Sequence, residues 1–282
     1  AKTATLLLCQ RQLHSRKGCG NTVRDLTITM LQMDLQWRHP IGNYNAAEQL
    51  IAEMDEPTDL IILPEMFNTG FTLDAADNAE TMEGPTVEWL QKLADRQQTA
   101  VCGSLIVNDN GKYFNRMVWV LKDGTMGHYD KRHLFRMGGE DEGFSAGNER
   151  RVFTVGEWRI FPQICYDLRF PAWSRGLDEF DLMIYVANWP ATRQSSWDIL
   201  LPARAVENQC YVAGINRIGV DGNSIIYTGG SMVLDFLGRS VKCSGIAESA
   251  VTATLKGSNA KRYREKFPAW KDGDKFTFDP AQ

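Results

Sequence analysis

The sequence predicts an α/β fold in which mixed sheets are covered by helices, and two observations carry that prediction. From Leu26 onward, strand-like runs alternate with helical runs in βαβαβ order, which argues for a sheet with helical crossovers. Further along, strand-like segments are separated by turn signals instead of helices, so hairpins join the crossover part and the sheets are mixed. With 43% hydrophobic residues in 282, the chain can bury a sizeable core.

The first strand is read at LTITMLQM, followed by a helix over NYNAAEQLIAEM, an apolar strand in DLIILPE, a helix over PTVEWLQKLADRQQ and a strand in TAVCGSLIV. The turn signals NDNG and KDG then set off YFNRMVWVL and MGHYDK as hairpin strands. After the loop MGGEDEGFSAGN come two strands, RRVFTV and EWRIFPQICYD, a short helix around PAWSRGL and the buried strand DLMIYVAN. SSWDILLPARAVENQC fits an amphipathic helix ahead of the strand YVAGINRIG. The tail alternates through SMVLDF and ESAVTATLK and ends in the basic helical stretch NAKRYREKF. No linker, composition shift or repeat divides this run, so residues 25–282 are read as one domain. Residues 1–24 hold no sustained period, and their only charges before Asp25 are basic. They are expected to lie outside the fold, as an extension added upstream in preference to a transit leader.

Lys and Arg number 31 against 35 Asp and Glu, a formal charge of −4, which provides no basic field for nucleic acid and no polybasic patch for a membrane. The apolar runs are far shorter than the ~20 residues that cross a bilayer. A soluble protein with a small-molecule partner is expected. The six cysteines, Cys9, Cys19, Cys102, Cys165, Cys210 and Cys243, lack the close pairing of a zinc site or redox dithiol. That pattern favours a reducing compartment, the cytoplasm, and implies neither metal nor cofactor.

Three polar residues share one placement, each following an apolar strand near a Pro or Gly, where open α/β sheets build their sites. They are Glu65 in LIILPEMF, Lys131 in GHYDKRHLF and Cys165 in FPQICYDLRFP. Cys165 reads either as a buried core thiol or as a nucleophile at a strand-to-helix turn, where the following N–H groups can face an oxyanion. Its base is either a histidine, with His128 and His133 flanking Lys131, or the carboxylate of Glu65, which the preceding strand carries into a partly desolvated site. Glu65 could equally cap a helix. Lys131 is either a solvated member of DKRH or an ammonium that lowers the thiol pKa and holds an oxyanion. Arg169, four residues beyond Cys165, either pairs with Asp167, Asp178 or Glu179, or reaches the acyl pocket and binds a carboxylate.

ICYDLRFPAWSR, with LPEMFNTGF, YDKRHLF, YVANWP and ARAVENQ in this order, resembles the nitrilase superfamily of carbon–nitrogen hydrolases from Leu26 to the end. Within it the chain is most similar to ω-amidases, which hydrolyse the terminal amide of 2-oxoglutaramate and related short dicarboxylate amides, with a nitrilase, a carbamoylase or a deaminated-glutathione amidase as the alternative. The resemblance implies an α-β-β-α sandwich that forms a homodimer through its helical layer. It implies Glu65 as general base, Lys131 as oxyanion stabiliser, Cys165 as nucleophile and the Tyr166 backbone N–H as second oxyanion donor. A second active-site glutamate is implied between Lys131 and Cys165, for which Glu140 is favoured by its spacing to Ala146-Gly147 and Glu142 is the alternative. Arg169, Phe67, Asn188 and Trp189 are implied on the substrate side. Arg204 and Glu207 also match family positions, as supports for the site and the dimer contact.

Overall fold

A computed structural model describes residues 23–278. Fourteen strands fall in the order β1 Leu26–Gln32, β2 Leu60–Ile62, β3 Ala100–Asp109, β4 Lys112–Val120, β5 Met126–Asp130, β6 Phe153–Val155, β7 Trp158–Ile164, β8 Leu182–Ala187, β9 Tyr211–Asn216, β10 Ile218–Val220, β11 Ile226–Thr228, β12 Met232–Leu234, β13 Ser240–Cys243 and β14 Ser249–Leu255. The long helices are α1 Pro40–Ala52, α2 Pro85–Gln97, α3 Gln194–Asn208 and α4 Gly257–Lys266.

Two six-stranded sheets form, ordered β14-β1-β2-β3-β4-β5 and β13-β12-β9-β8-β7-β6, with β10 and β11 as a separate hairpin. Each is mixed as expected. β1, β2 and β3 run parallel while β4, β5 and β14 are antiparallel to their neighbours. In the second sheet β7, β8 and β9 are parallel.

Alternation along the strands sorts side chains to two faces. Ile28, Met30, Ile62 and Trp119 of the first sheet share one apolar cluster with Ile160, Ile184, Val186 and Ile215 of the second, so the sheets pack on each other. The opposite face of the first sheet, with Ile61, Val101 and Val118, is covered by Leu50 and Ile51 of α1 and Leu90 and Leu93 of α2. That of the second, with Met183, Tyr185 and Val212, is covered by Trp197, Leu201 and Ala205 of α3. The layers are therefore α-β-β-α.

Some boundaries move for physical reasons. α1 begins at Pro40 and not in the NYN run, because proline suits a first turn whose N–H needs no partner. The strand read through Tyr166 and Asp167 stops at Ile164. The expected extension over residues 1–24 falls outside the described residues except at its end. There Val23 packs against the core cluster and Arg24 accepts the Trp158 indole N–H on its carbonyl at 2.7 Å.

Candidate active site

The three strand ends meet where the sheets face each other. β2 stops at Ile62, and Pro64, lacking an N–H, cannot extend its ladder. The chain turns through Met66, at a left-handed φ of 43°, and is pinned there by Ser104, whose hydroxyl accepts the Met66 N–H at 2.9 Å. Glu65 is thus driven fully inside. Lys131 follows β5, with its N–H on the Asn115 carbonyl at 3.0 Å. Cys165 also has a φ of 43° and opens a 3₁₀ turn over Cys165–Arg169. A non-glycine residue in that region costs about 1–3 kcal/mol and persists only when its surroundings hold it. Asp167 does the holding. Its carboxylate accepts the Ile164 N–H at 3.1 Å, the Tyr129 hydroxyl at 2.8 Å, the His133 N–H at 2.9 Å and contacts His133 Nδ1 at 2.8 Å.

Lys131 lies between two buried carboxylates. Its Nζ donates to Glu65 Oε1 at 2.9 Å and to Glu140 Oε1 and Oε2 at 3.0 and 2.9 Å. Asn115 spans the same two acids, its Nδ2 donating to Glu65 Oε1 at 2.8 Å and Glu140 Oε1 at 3.2 Å. Glu140 Oε2 also accepts the Phe135 N–H at 2.5 Å. The Asn188 N–H donates to Glu65 Oε2 at 2.8 Å. The ammonium, the amide and two backbone N–H groups all donate to these oxygens. Glu65 Oε1 is taken up by Lys131 and Asn115 and Oε2 by Asn188, while Cys165 Sγ lies 3.9 Å from the Asn188 carbonyl oxygen, beside the same residue.

Burial lifts Glu140 above the ordinary carboxylate range while Lys131 pulls it back. Burial opposes the charge on Lys131, and Glu140 and Glu65 more than restore it, so the ammonium is held above its usual pKa. Burial pushes the Cys165 thiol well up, and the Glu65 carboxylate adds to this against the pull of Lys131. This differs from the expectation of a thiol acidified by lysine. The reason is that Lys131 is matched by two carboxylates, so the field at sulfur is not that of a lone cation.

A cavity of ≈ 80 Å³ opens over Cys165, Glu65 and Lys131 and takes in Tyr166, Arg169, Asn188 and Trp189. Ordinary ligand pockets measure about 300–1,000 Å³, so this one suits a short chain. Arg169 makes no ion pair with Asp167, Asp178 or Glu179: its guanidinium lies 4.9 Å from the Trp189 ring centroid, while Asp178 meets Arg159 and Glu179 meets Arg150. The Tyr166 N–H, in the first turn of the 3₁₀ segment, has no acceptor within it. Glu140 sits on Lys131, whereas Glu142 is exposed. Arg204 bonds Glu207 at 3.0 Å and the Leu168 carbonyl at 2.7 Å, behind the cysteine turn.

Phe67 does not reach the cavity. It is fully buried in the outer core beside Tyr44 and Trp89, because the turn after Glu65 sends it back under α2, and Phe71 lines the cavity in its stead. His128 and His133 are absent from the cavity lining, and His133 stacks on Phe170 at 3.8 Å, so a cysteine–histidine pair is not assembled. The reading by residue type missed Asn115, Phe135, Arg193 and Tyr227. An amide inside the apolar strand YFNRMVWV is the signal that could have found Asn115.

Residues 27–265 match the carbon–nitrogen hydrolase family model, and the chain belongs to that family. It is 45% identical over 252 residues to the ω-amidase YafV of Yersinia enterocolitica, covering 89% of this chain and 98% of that protein. It is 33% identical to the 2-oxoglutaramate amidase of Bacillus subtilis, covering 87% and 96%. Among solved structures, XC1258 of Xanthomonas campestris, a CN-hydrolase superfamily protein with an arsenic adduct in its active site, superposes with a TM-score of 0.88. It is 43% identical, covering 91% of this chain and all of that one.

Proposed function

We propose that this chain is an ω-amidase that hydrolyses the terminal amide of a short dicarboxylate monoamide, such as 2-oxoglutaramate, to the acid and ammonia. The observation that carries this is an arginine, Arg169, with no carboxylate partner among the described residues, in the same small cavity as Cys165, Glu65 and Lys131. The similarity to ω-amidases and a 2-oxoglutaramate amidase supports the same class.

In the proposed reaction Cys165 Sγ attacks the amide carbon as the Glu65 carboxylate takes the thiol proton. Lys131 and the Tyr166 N–H stabilise the oxyanion. Glu65 returns the proton to nitrogen, the C–N bond breaks and ammonia leaves a thioester on Cys165. Glu65 then removes a proton from water, which attacks the thioester carbon. The carbon–sulfur bond breaks, sulfur recovers the proton and the acid departs. Glu140 fixes Lys131, and Arg169 binds the far carboxylate.

The protein is proposed to act in the cytoplasm, which the described cysteines, all free, support. It is also proposed to form a homodimer through α3, where Ile199 and Val206, seven residues apart and so on one face, are 68% and 52% exposed. Ile199→Glu should shift the sedimentation coefficient to that of a monomer, and an unchanged value would remove the dimer. The enzymatic test is ammonia release from 2-oxoglutaramate, a neutral amide, a nitrile and a carbamoyl amino acid. Turnover of the nitrile or carbamoyl compound in preference to the carboxylate amide would overturn the reading.

A further inference from the structure

Arg193 also lines the cavity, together with Arg169 and Cys165. It ends the 3₁₀ turn Ala191–Arg193 that leads into α3. Its guanidinium lies 5.2 Å from the Phe135 ring centroid and, among the described residues, has no carboxylate partner. The nearest acid in sequence, Asp198, instead accepts from Gln194 at 3.0 Å.

Trp189 braces both arginines. Arg169 rests on its ring, and its indole N–H donates to the Arg193 carbonyl at 2.8 Å. Trp189 is itself buried and fixed by its backbone N–H on Asn216 Oδ1 at 2.7 Å. One rigid indole thus sets where both guanidinium-bearing segments start, which lowers the cost of ordering them around a ligand.

Charge matching gives the arrangement its meaning. Lys131 is already paired with Glu65 and Glu140, whereas Arg169 and Arg193 have no carboxylate partner among the described residues. Two guanidinium groups are thus left without an anion in a space walled by Phe71, Phe135, Trp189 and Tyr227. The carboxylate of a monoanionic amide can pair with both, and a neutral amide leaves both bare.

We infer that Arg193 is a specificity-determining residue that, with Arg169, clamps the single carboxylate of a monoanionic amide from two sides. This rests on the ω-amidase reading and extends it by naming a second anchor. Each guanidinium presents a planar fork of donors, and a carboxylate has lone pairs enough for two.

The test compares glutaramate with pentanamide, a neutral amide of equal chain length, on the intact protein and on Arg193→Met, Arg193→Lys and Arg169→Met. Arg193→Met should lower the ratio of kcat/KM for glutaramate over pentanamide at least tenfold, chiefly through KM, with Arg193→Lys in between. In Cys165→Ala protein, which cannot turn over, calorimetry should show glutaramate binding weakened to a similar degree when Arg193→Met is added. If the unsubstituted protein prefers glutaramate and Arg193→Met keeps that preference, the inference falls and the ω-amidase reading stands. An equal loss on both amides would make Arg193 a structural residue only, and also overturn the inference. If the unsubstituted protein itself shows no preference for glutaramate, both fall together.

Discussion

Replacing Asn115 by alanine tests whether the two glutamates act as a held pair. Asn115 is 1% exposed, does not line the cavity and donates to both carboxylates at 2.8 and 3.2 Å, so it influences the reaction through them and not by touching substrate. Hydrogen bonds to charged groups contribute about 1.5–3 kcal/mol each. Lys131 still holds both acids after the substitution, so part of that is retained. A loss of about 1.4–2.7 kcal/mol in transition-state stabilisation follows, or about tenfold to a hundredfold in kcat, with KM nearly unchanged. Stability should fall by about 1–3 kcal/mol, since the Ser104 hydroxyl loses its acceptor at 2.9 Å inside the protein. The pH profile gives an independent reading. Glu140 is already lifted by burial, and removing a donor to its charged form raises it further, so the acid limb of kcat/KM should move to higher pH. Steady-state ammonia release between pH 5 and 9, with urea denaturation alongside, measures all three. A folded variant with unchanged kcat and an unmoved acid limb would refute the held-pair argument, as would a large rise in KM alone.

Three further outcomes follow from the same geometry. In an iodoacetamide time course at neutral pH, Cys243, which is exposed, should label first and without loss of activity. Cys165 should label more slowly, faster as pH rises, and in step with inactivation, whereas a Cys165 rate independent of pH from 6 to 9 would contradict a neutral resting thiol. Glu65→Gln should cost several orders of magnitude in kcat, while His133→Gln costs about tenfold by loosening Asp167 and His128→Gln less; the reverse ranking would restore a histidine base. Burial holds the Cys102 and Cys210 thiols far above their unfolded pKa of about 8.5, so above that pH the folded chain keeps protons that the unfolded chain releases. Stability should therefore fall as pH rises past about 8.5, and urea midpoints that stay level between pH 7.5 and 10 would count against it.

The fold and the central residues were legible because each left a local mark. An apolar strand broken by Pro or Gly and followed by a polar residue places Glu65, Lys131 and Cys165 at strand ends. What lay beyond local pattern was harder to read. Phe67 and Phe71 sit in one turn without a period, so nothing in the sequence says which ring points to the cavity. β13, Ser240–Cys243, is exposed along its whole length and so lacks the burial alternation that marks a strand. Tyr227 reaches the cavity from the hairpin of β10 and β11, far along the chain from Glu65 and Lys131. Arg193 resembles any charged residue near a helix start until Trp189 and Phe135 are seen around it.

The two sheets have to close before the site exists. Glu65 comes from the first sheet, yet its Oε2 is held by the Asn188 N–H at the end of β8 in the second, and its own carbonyl accepts from Asn188 Nδ2 at 2.6 Å. The thiol belongs to the second sheet and the lysine to the first. Across that seam Lys131 is already shared by two carboxylates, so a thiolate would place a further negative charge beside them in a buried place. Keeping the proton on sulfur until attack avoids that state. On the proposed mechanism the transfer of that proton to Glu65 also changes what Lys131 faces. Glu65 becomes neutral, Glu140 alone balances the ammonium, and the field that Glu65 had been absorbing turns toward the oxyanion as it forms. The stabilisation is therefore weak in the ground state and strong in the transition state, which is the condition for an interaction to raise kcat instead of only tightening binding.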